Sequence, residues 1–364
     1  MPAAGMVLTP SIRRFAVAIA LAAASVCGSS AQAPATSAPT FGAVISALSE
    51  PNGYFDTDNL ISNEQSYLTV LSDIDRAGLR GGAYIGVGPD QNFSYIAASR
   101  PAVAFIVDVR RDNLLLHLLF KALFSLARTR VEYLSLLCGR PVPPALESWR
   151  NRNIEAIAAY VDQAAVPDAA AVNALRARVT STIASFGLAL GDADRETIDR
   201  FHRRFIEAGL GLRFQSYGRG PQSYYPTLRD LLLAGDSGQR QQNYLASEEG
   251  FQFLKDLQAH DRVIPVVGNL TGPTALVGIG RWLREHDEKL SLFYASNVEF
   301  YLFREGTFDR FMANLSHIPH SDRALIIRSV FGYGGGSVSQ TQAVPDLLDG
   351  VAHGRYRDYW QLVR

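Results

Sequence analysis

Lysine is nearly absent from this chain of 364 residues: Lys121, Lys255 and Lys289 are the only three, and arginine supplies the rest of the 35 basic residues. A compositional bias of the genome explains that as well as anion binding does. The basic residues are cancelled by 35 acidic ones, which excludes an overall field drawing the chain to nucleic acid or an anionic membrane. Cysteine is scarce too, with only Cys27 and Cys138. The apolar run from Phe15 to Val26 is too short for a spanning helix. There is no P-loop and no Gly-x-Ser-x-Gly elbow. Pro319 separates the one close histidine pair, His317 and His320, and no Cys, Asp or Glu spacing completes a zinc site. No metal is therefore expected.

What is present begins with a targeting pattern. Arg13 and Arg14 precede the apolar run, and small residues follow up to Ser29-Ser30-Ala31. This reads as a secretory signal peptide over residues 1–31, followed by a Pro/Ala/Ser/Thr linker over 32–40 and a single domain over 41–364. The expected location is periplasmic or secreted, with no stable membrane span after cleavage; a twin-arginine route stays open. Lipid attachment at Cys27 fits less well, because Val26 before it is bulky. Processing would leave Cys138 alone, and Leu136 and Leu137 beside it point to a buried thiol. Oligomeric state is not legible.

Residues 81–113 carry the most information. An apolar strand, Ala83 to Val87, runs through a Gly86-x-Gly88 turn into a short helix-like segment, and a second strand, Val103 to Val107, ends at Asp108. Glycines let the backbone turn sharply near a ligand, and an acid about twenty residues on can accept hydrogen bonds from ribose hydroxyls. The same pattern also fits an ordinary βαβ unit whose glycines only make the turn.

Along the chain, helices are expected at Phe41–Leu48 and about Ser66–Gly78. One long buried helix is expected from Asn113 to about Gly139, and alanine-rich helices fill an insertion at about 140–240. The turn Asn52–Asn59 reads as a binding loop or a solvated turn. Further strands are expected at 263–267, 290–295 and 324–330, alternating with helices, and the Gly334–Gly336 run reads as a flexible connection. The fold class is α/β, a mostly parallel sheet with helices on both faces.

Ligands of open α/β sheets bind beyond the carboxyl ends of the strands. Those ends carry Gly86, Gly88, Gln91 and Asn92; Asp108 and Arg110; Gly268, Asn269 and Thr271; and Ser296, Asn297 and Glu299. A small-molecule crevice follows as an expectation. Asn113, His117 and Lys121 fall on one stripe of an apolar helix. They must be paired or reach a cavity, either as a structural network or as a base and an anion clamp.

The stretch 81–113 resembles the first half of a Rossmann-fold, class I S-adenosylmethionine-dependent methyltransferase, and more closely an uncharacterised bacterial group of methyltransferase-like proteins that carry the same Gly86-Val87-Gly88-Pro89-x-Gln91-Asn92-Phe93 run. The resemblance covers roughly residues 80–125 and 245–330. It implies a Rossmann-like fold, S-adenosylmethionine as cofactor and a methyltransferase-like activity of unknown acceptor. Tyr84 occupies the position of the motif's usual acid, the Gly86–Gly88 turn faces the methionine part, and Asp108 takes the ribose. Asn269 and the Ser296-Asn297 loop then border the methyl-transfer position. Asp90 replaces the third glycine, and Gly268-Asn269-Leu270-Thr271-Gly272 lacks the Asn/Asp-Pro-Pro-aromatic signature of amino-methylating members. No catalytic residue is assigned. These departures and the expected export motivate the alternative, a non-catalytic exported binding protein with the same architecture and an unknown ligand.

Overall fold

Four short apolar runs, each buried along its whole apolar length, set the centre of the molecule. The computed structural model describes residues 39–218, 222–332 and 336–364, all within one compact unit, Pro39–Arg364. The expected signal peptide, Cys27, the linker up to residue 38 and residues 334 and 335 of the glycine run lie outside the described residues.

The strands are β1 (Ala83–Gly86), β2 (Val103–Asp108), β3 (Val263–Val267), β4 (Leu290–Ser296), β5 (His320–Phe331) and β6 (Ser337–Ala343). They form one sheet in the order β3-β2-β1-β4-β5-β6. The pairings β2–β3, β1–β2, β1–β4 and β4–β5 are parallel, and β6 closes the edge antiparallel to β5. Successive side chains point to opposite faces, so the unbroken burial of β1 and β3, and of β2 and β4 up to their last residue, means both faces are covered.

All five expected strands exist, but β5 begins at His320 rather than 324, and β6 was not anticipated. The chain expected to form one helix from Asn113 to Gly139 forms two, Arg111–Leu126 and Arg130–Leu137. Thr129 caps the second by accepting a hydrogen bond from the Glu132 amide, so the chain turns there instead of continuing. The helix expected over Ser66–Gly78 is confined to Leu71–Arg76.

Three helices, Ile154–Gln163, Ala169–Ala184 and Asp192–Ala208, occupy the middle of the chain. The latter two pack against the buried helix Arg111–Leu126. Cys138 is fully buried, and burial pushes its thiol up to about 12. Among the described residues no helix is long and apolar enough to cross a membrane.

Candidate functional site

The strand order reverses between β1 and β4: the chain winds outward to β2 and β3 on one side, and to β5 and β6 on the other. Connections leaving the carboxyl ends of adjacent strands in opposite directions leave a crevice between them. A cavity of about 650 Å³ lies there. Gly88, Gln91, Asp108, Arg110, Gly268, Asn269, Ser296 and Asn297 line it, so eight of the expected strand-end residues converge although they come from four strand ends.

Tyr84, Gly86 and Asn92 are not among the lining residues; they build the turn beneath it. The buried Tyr84 hydroxyl donates to Asn92 Oδ1 at 2.7 Å, and Asn92 Nδ2 donates to the carbonyls of Val87 (2.9 Å) and Pro89 (2.7 Å). A Cβ at Gly86 would fall 2.0 Å from Asn92 Oδ1 and 2.6 Å from the Tyr84 hydroxyl, so only glycine fits. Gly88 sits at φ +81°, in the left-handed region.

The acid at the end of β2 is engaged within its own segment. Asp108 Oδ1 accepts from the Arg110 amide (2.9 Å) and Nε (3.0 Å), and Oδ2 accepts from Nη2 (2.8 Å). The same guanidinium donates to the Thr57 carbonyl at 2.8 Å. That bond, with Gly53 N to Val109 O at 2.7 Å, holds the Asn52–Asn59 turn along the sheet edge, where Tyr54 to Thr57 and Asn59 line the crevice. At the end of β3, Asn269 Oδ1 accepts from the amide and hydroxyl of Thr271, both at 2.9 Å. Glu50 holds this turn from outside, accepting from the amides of Asn269, Thr274 and Ala275.

The crevice also contains a residue that sequence reasoning missed. Glu64 is 1% exposed and lines the cavity. Its carboxylate accepts from Gln91 Nε2 (2.9 Å), the Tyr294 hydroxyl (2.8 Å), Ser296 Oγ and Ser329 Oγ. Burial pushes the carboxyl above its usual range, against the pull of these donors. Ser296 holds its place with φ at +51°, a left-handed conformation costly for a residue other than glycine. Glu64 comes from the polar run Ser62-Asn63-Glu64-Gln65 ahead of β1, and no local pattern marks it.

Of the expected polar stripe, Lys121 pairs with Asp261 at 2.7 Å and lies over the rings of Phe41 and Phe186. His117 Nε2 meets the Gly88 carbonyl at 2.9 Å, supporting the turn from behind. All three stripe residues, Asn113 included, are buried, and none lines the crevice. Burial lowers His117 to about 4 from 6.5. The unfolded chain therefore binds this proton at a higher pH than the folded one. The stability gained by keeping His117 neutral is complete above about pH 6.5 and is lost as pH falls to about 4, about 3 kcal/mol in all. Asp90, raised to about 6 by burial, acts oppositely: its contribution is present below about pH 4 and lost as pH rises through 6. Denaturant titration between pH 7 and pH 4 should therefore show wild type losing about 3 kcal/mol more than His117→Gln. Equal losses would mean that His117 is charged in the fold.

No curated protein matches the chain. One family model does, over residues 60–143 and 201–348. Its two segments take in all six strands and every crevice residue from Glu64 to Asn297, and the unmatched interval falls in the helical middle of the chain. With well over half its length matched, sheet and crevice included, the protein belongs to the family described as Domain of unknown function (DUF7790).

Proposed function

We propose that the crevice is an S-adenosylmethionine site and that the protein is a Rossmann-like, methyltransferase-like binder of that cofactor. One observation carries the reading: Val87 and Gly88, from the turn that Gly86 begins, and Asp108 line one crevice where the strand order reverses, the place where open α/β sheets take nucleotide-type ligands. The turn faces the methionine part of the cofactor, and Asp108 takes the ribose. Asn269, Ser296 and Asn297 border the position of methyl transfer. That reaction depends on in-line placement of nucleophile and sulfonium more than on strong acids and bases. The proposal includes export, on the basic and apolar pattern that ends at Ala31.

A second reading has its own support. Both oxygens of Asp108 are engaged by Arg110, so ribose hydroxyls would share the acid with a guanidinium. On that reading the protein is an exported, non-catalytic binder of another small molecule.

Isothermal titration with S-adenosylmethionine separates the two. On the cofactor reading wild type binds, and Asp108→Ala weakens binding by about 1.5–3 kcal/mol, the range for a hydrogen bond involving a charged group. Asp108→Asn loses less, since it keeps an acceptor. An unchanged dissociation constant in Asp108→Ala removes the ribose role, and no binding by wild type favours the second reading.

A further inference from the structure

The four groups that hold the Glu64 carboxylate, Gln91, Tyr294, Ser296 and Ser329, are all neutral. A carboxylate 1% exposed that lines a cavity and is held by neutral donors has, when ionised, no salt-bridge partner among the described residues. Other acids at this edge are different: Asp108 is paired with Arg110, and Glu299 with Arg328. Glu64 also lies on the far side of the order reversal from Asp108, because three of its four donors come from β4 and β5.

The same crevice also has aromatic walls. Tyr54, Phe55, Phe214, Tyr225, Phe300 and Tyr301 line it. Phe55 meets Tyr301 edge-on at 5.2 Å between ring centres, Phe300 meets Tyr301 at 5.4 Å, and Phe214 meets Tyr225 at 4.9 Å. Tyr54 is 78% exposed. Ring faces attract a desolvated cation. A buried anion in an aromatic-lined crevice is the combination that recognises an organic ammonium.

We infer that the β4–β5 side of the crevice takes a small ligand bearing a protonated amine, with Glu64 as its counter-charge and the aromatic side chains as its wall. The binding stands on Glu64 and those rings alone; the amine's role as methyl acceptor rests on the cofactor reading. In that role the ammonium first hands a proton to the Glu64 carboxylate, whose basicity burial has raised. With the cofactor bound, the free amine would attack the methyl carbon of the sulfonium, a C–N bond forming as the C–S bond broke, with the electron pair left on sulfur. The methylated amine leaves as an ammonium ion, and Glu64 returns its proton to solvent.

The test uses the full chain and two probes of matching shape, 2-phenylethylamine and the neutral 2-phenylethanol, titrated calorimetrically at pH 7.5. Wild type should prefer the amine by about ten- to hundredfold, the yield of one charge-assisted contact. Glu64→Gln should bring the two probes level, and Phe300→Leu should weaken the amine more than the alcohol. Equal affinities in wild type overturn the inference, as does no amine binding up to millimolar concentration or a preference surviving in Glu64→Gln. Should Glu64→Gln fail to fold, wild type decides alone: the preference must shrink as pH falls and Glu64 takes up a proton, and a preference unchanged down to pH 4 overturns the inference. S-adenosylmethionine is titrated separately into the same samples. Loss of the amine preference with cofactor binding intact sinks only this inference, and the reverse result sinks only the cofactor reading.

Discussion

Replacing Arg328 with methionine should destabilise the protein by about 3–5 kcal/mol, the cost of leaving one member of a buried ion pair alone. Arg328 in β5 and Glu299 at the start of the helix Val298–Arg304 are 1% and 0% exposed. They are joined through Arg328 Nε to Glu299 Oε2 and Nη2 to Oε1, the latter at 3.2 Å. With the guanidinium gone, Glu299 keeps a charge that neither water nor a cation balances. Replacing both residues, as Glu299→Leu with Arg328→Met, should recover most of the loss, because apolar groups of similar volume often stand in for a buried pair at little cost. Urea denaturation at pH 7 measures all three proteins. A double variant as unstable as the single one would assign the loss to packing rather than charge.

Phe93→Ala should cost a similar amount, about 3–5 kcal/mol, as the truncation of a fully enclosed aromatic ring. Phe93 meets His117, Phe120, Phe124 and Tyr244 edge-on, at 5.6, 5.7, 5.5 and 5.3 Å between ring centres. These partners come from the helix Arg111–Leu126 and from the segment before the helix Glu248–Ala259, so one ring joins parts of the chain far apart in sequence. Phe93→Leu should lose less, because it fills part of the space. Thermal and denaturant unfolding give the number. A loss under about 1 kcal/mol would mean that the surrounding rings close over the gap.

Phe93 also shows how the Gly-Val-Gly-Pro-x-Gln-Asn-Phe run divides its work. Gln91 faces the crevice and donates to Glu64, Asn92 ties the turn together, and Phe93 anchors the core. The motif was legible as a strand-to-helix turn at a strand end, but the division among its residues was not, because each partner comes from another part of the chain. Strands β1 to β4 were legible because burial on both faces demands continuous apolar runs. β6 was not: Ser337-Val338-Ser339-Gln340-Thr341-Gln342-Ala343 has no such run. Its place is set by a partner, from Leu325 with Ala343 to Phe331 with Ser337, which its own composition cannot encode. The break near Thr129 did leave a trace, since Thr129-x-x-Glu132 is a helix-start signature inside an apolar stretch. Glu64 left none. Its importance comes from four donors that only the folded sheet brings to it.

The register of β1 has a kinetic side. Ala83 pairs with Val103 on one flank and with Leu290 on the other. The first pairing closes a short loop and the second a very long one, with the helical middle of the chain gathered in between. Closing the long loop costs entropy before the β4 contacts can repay it. The half of the crevice that carries Asp108 can therefore form early and locally, whereas the half that carries Ser296 and completes the Glu64 shell must wait for the chain to return. During synthesis, a chain that has emerged only as far as β3 holds an open sheet edge at β1 and no finished crevice.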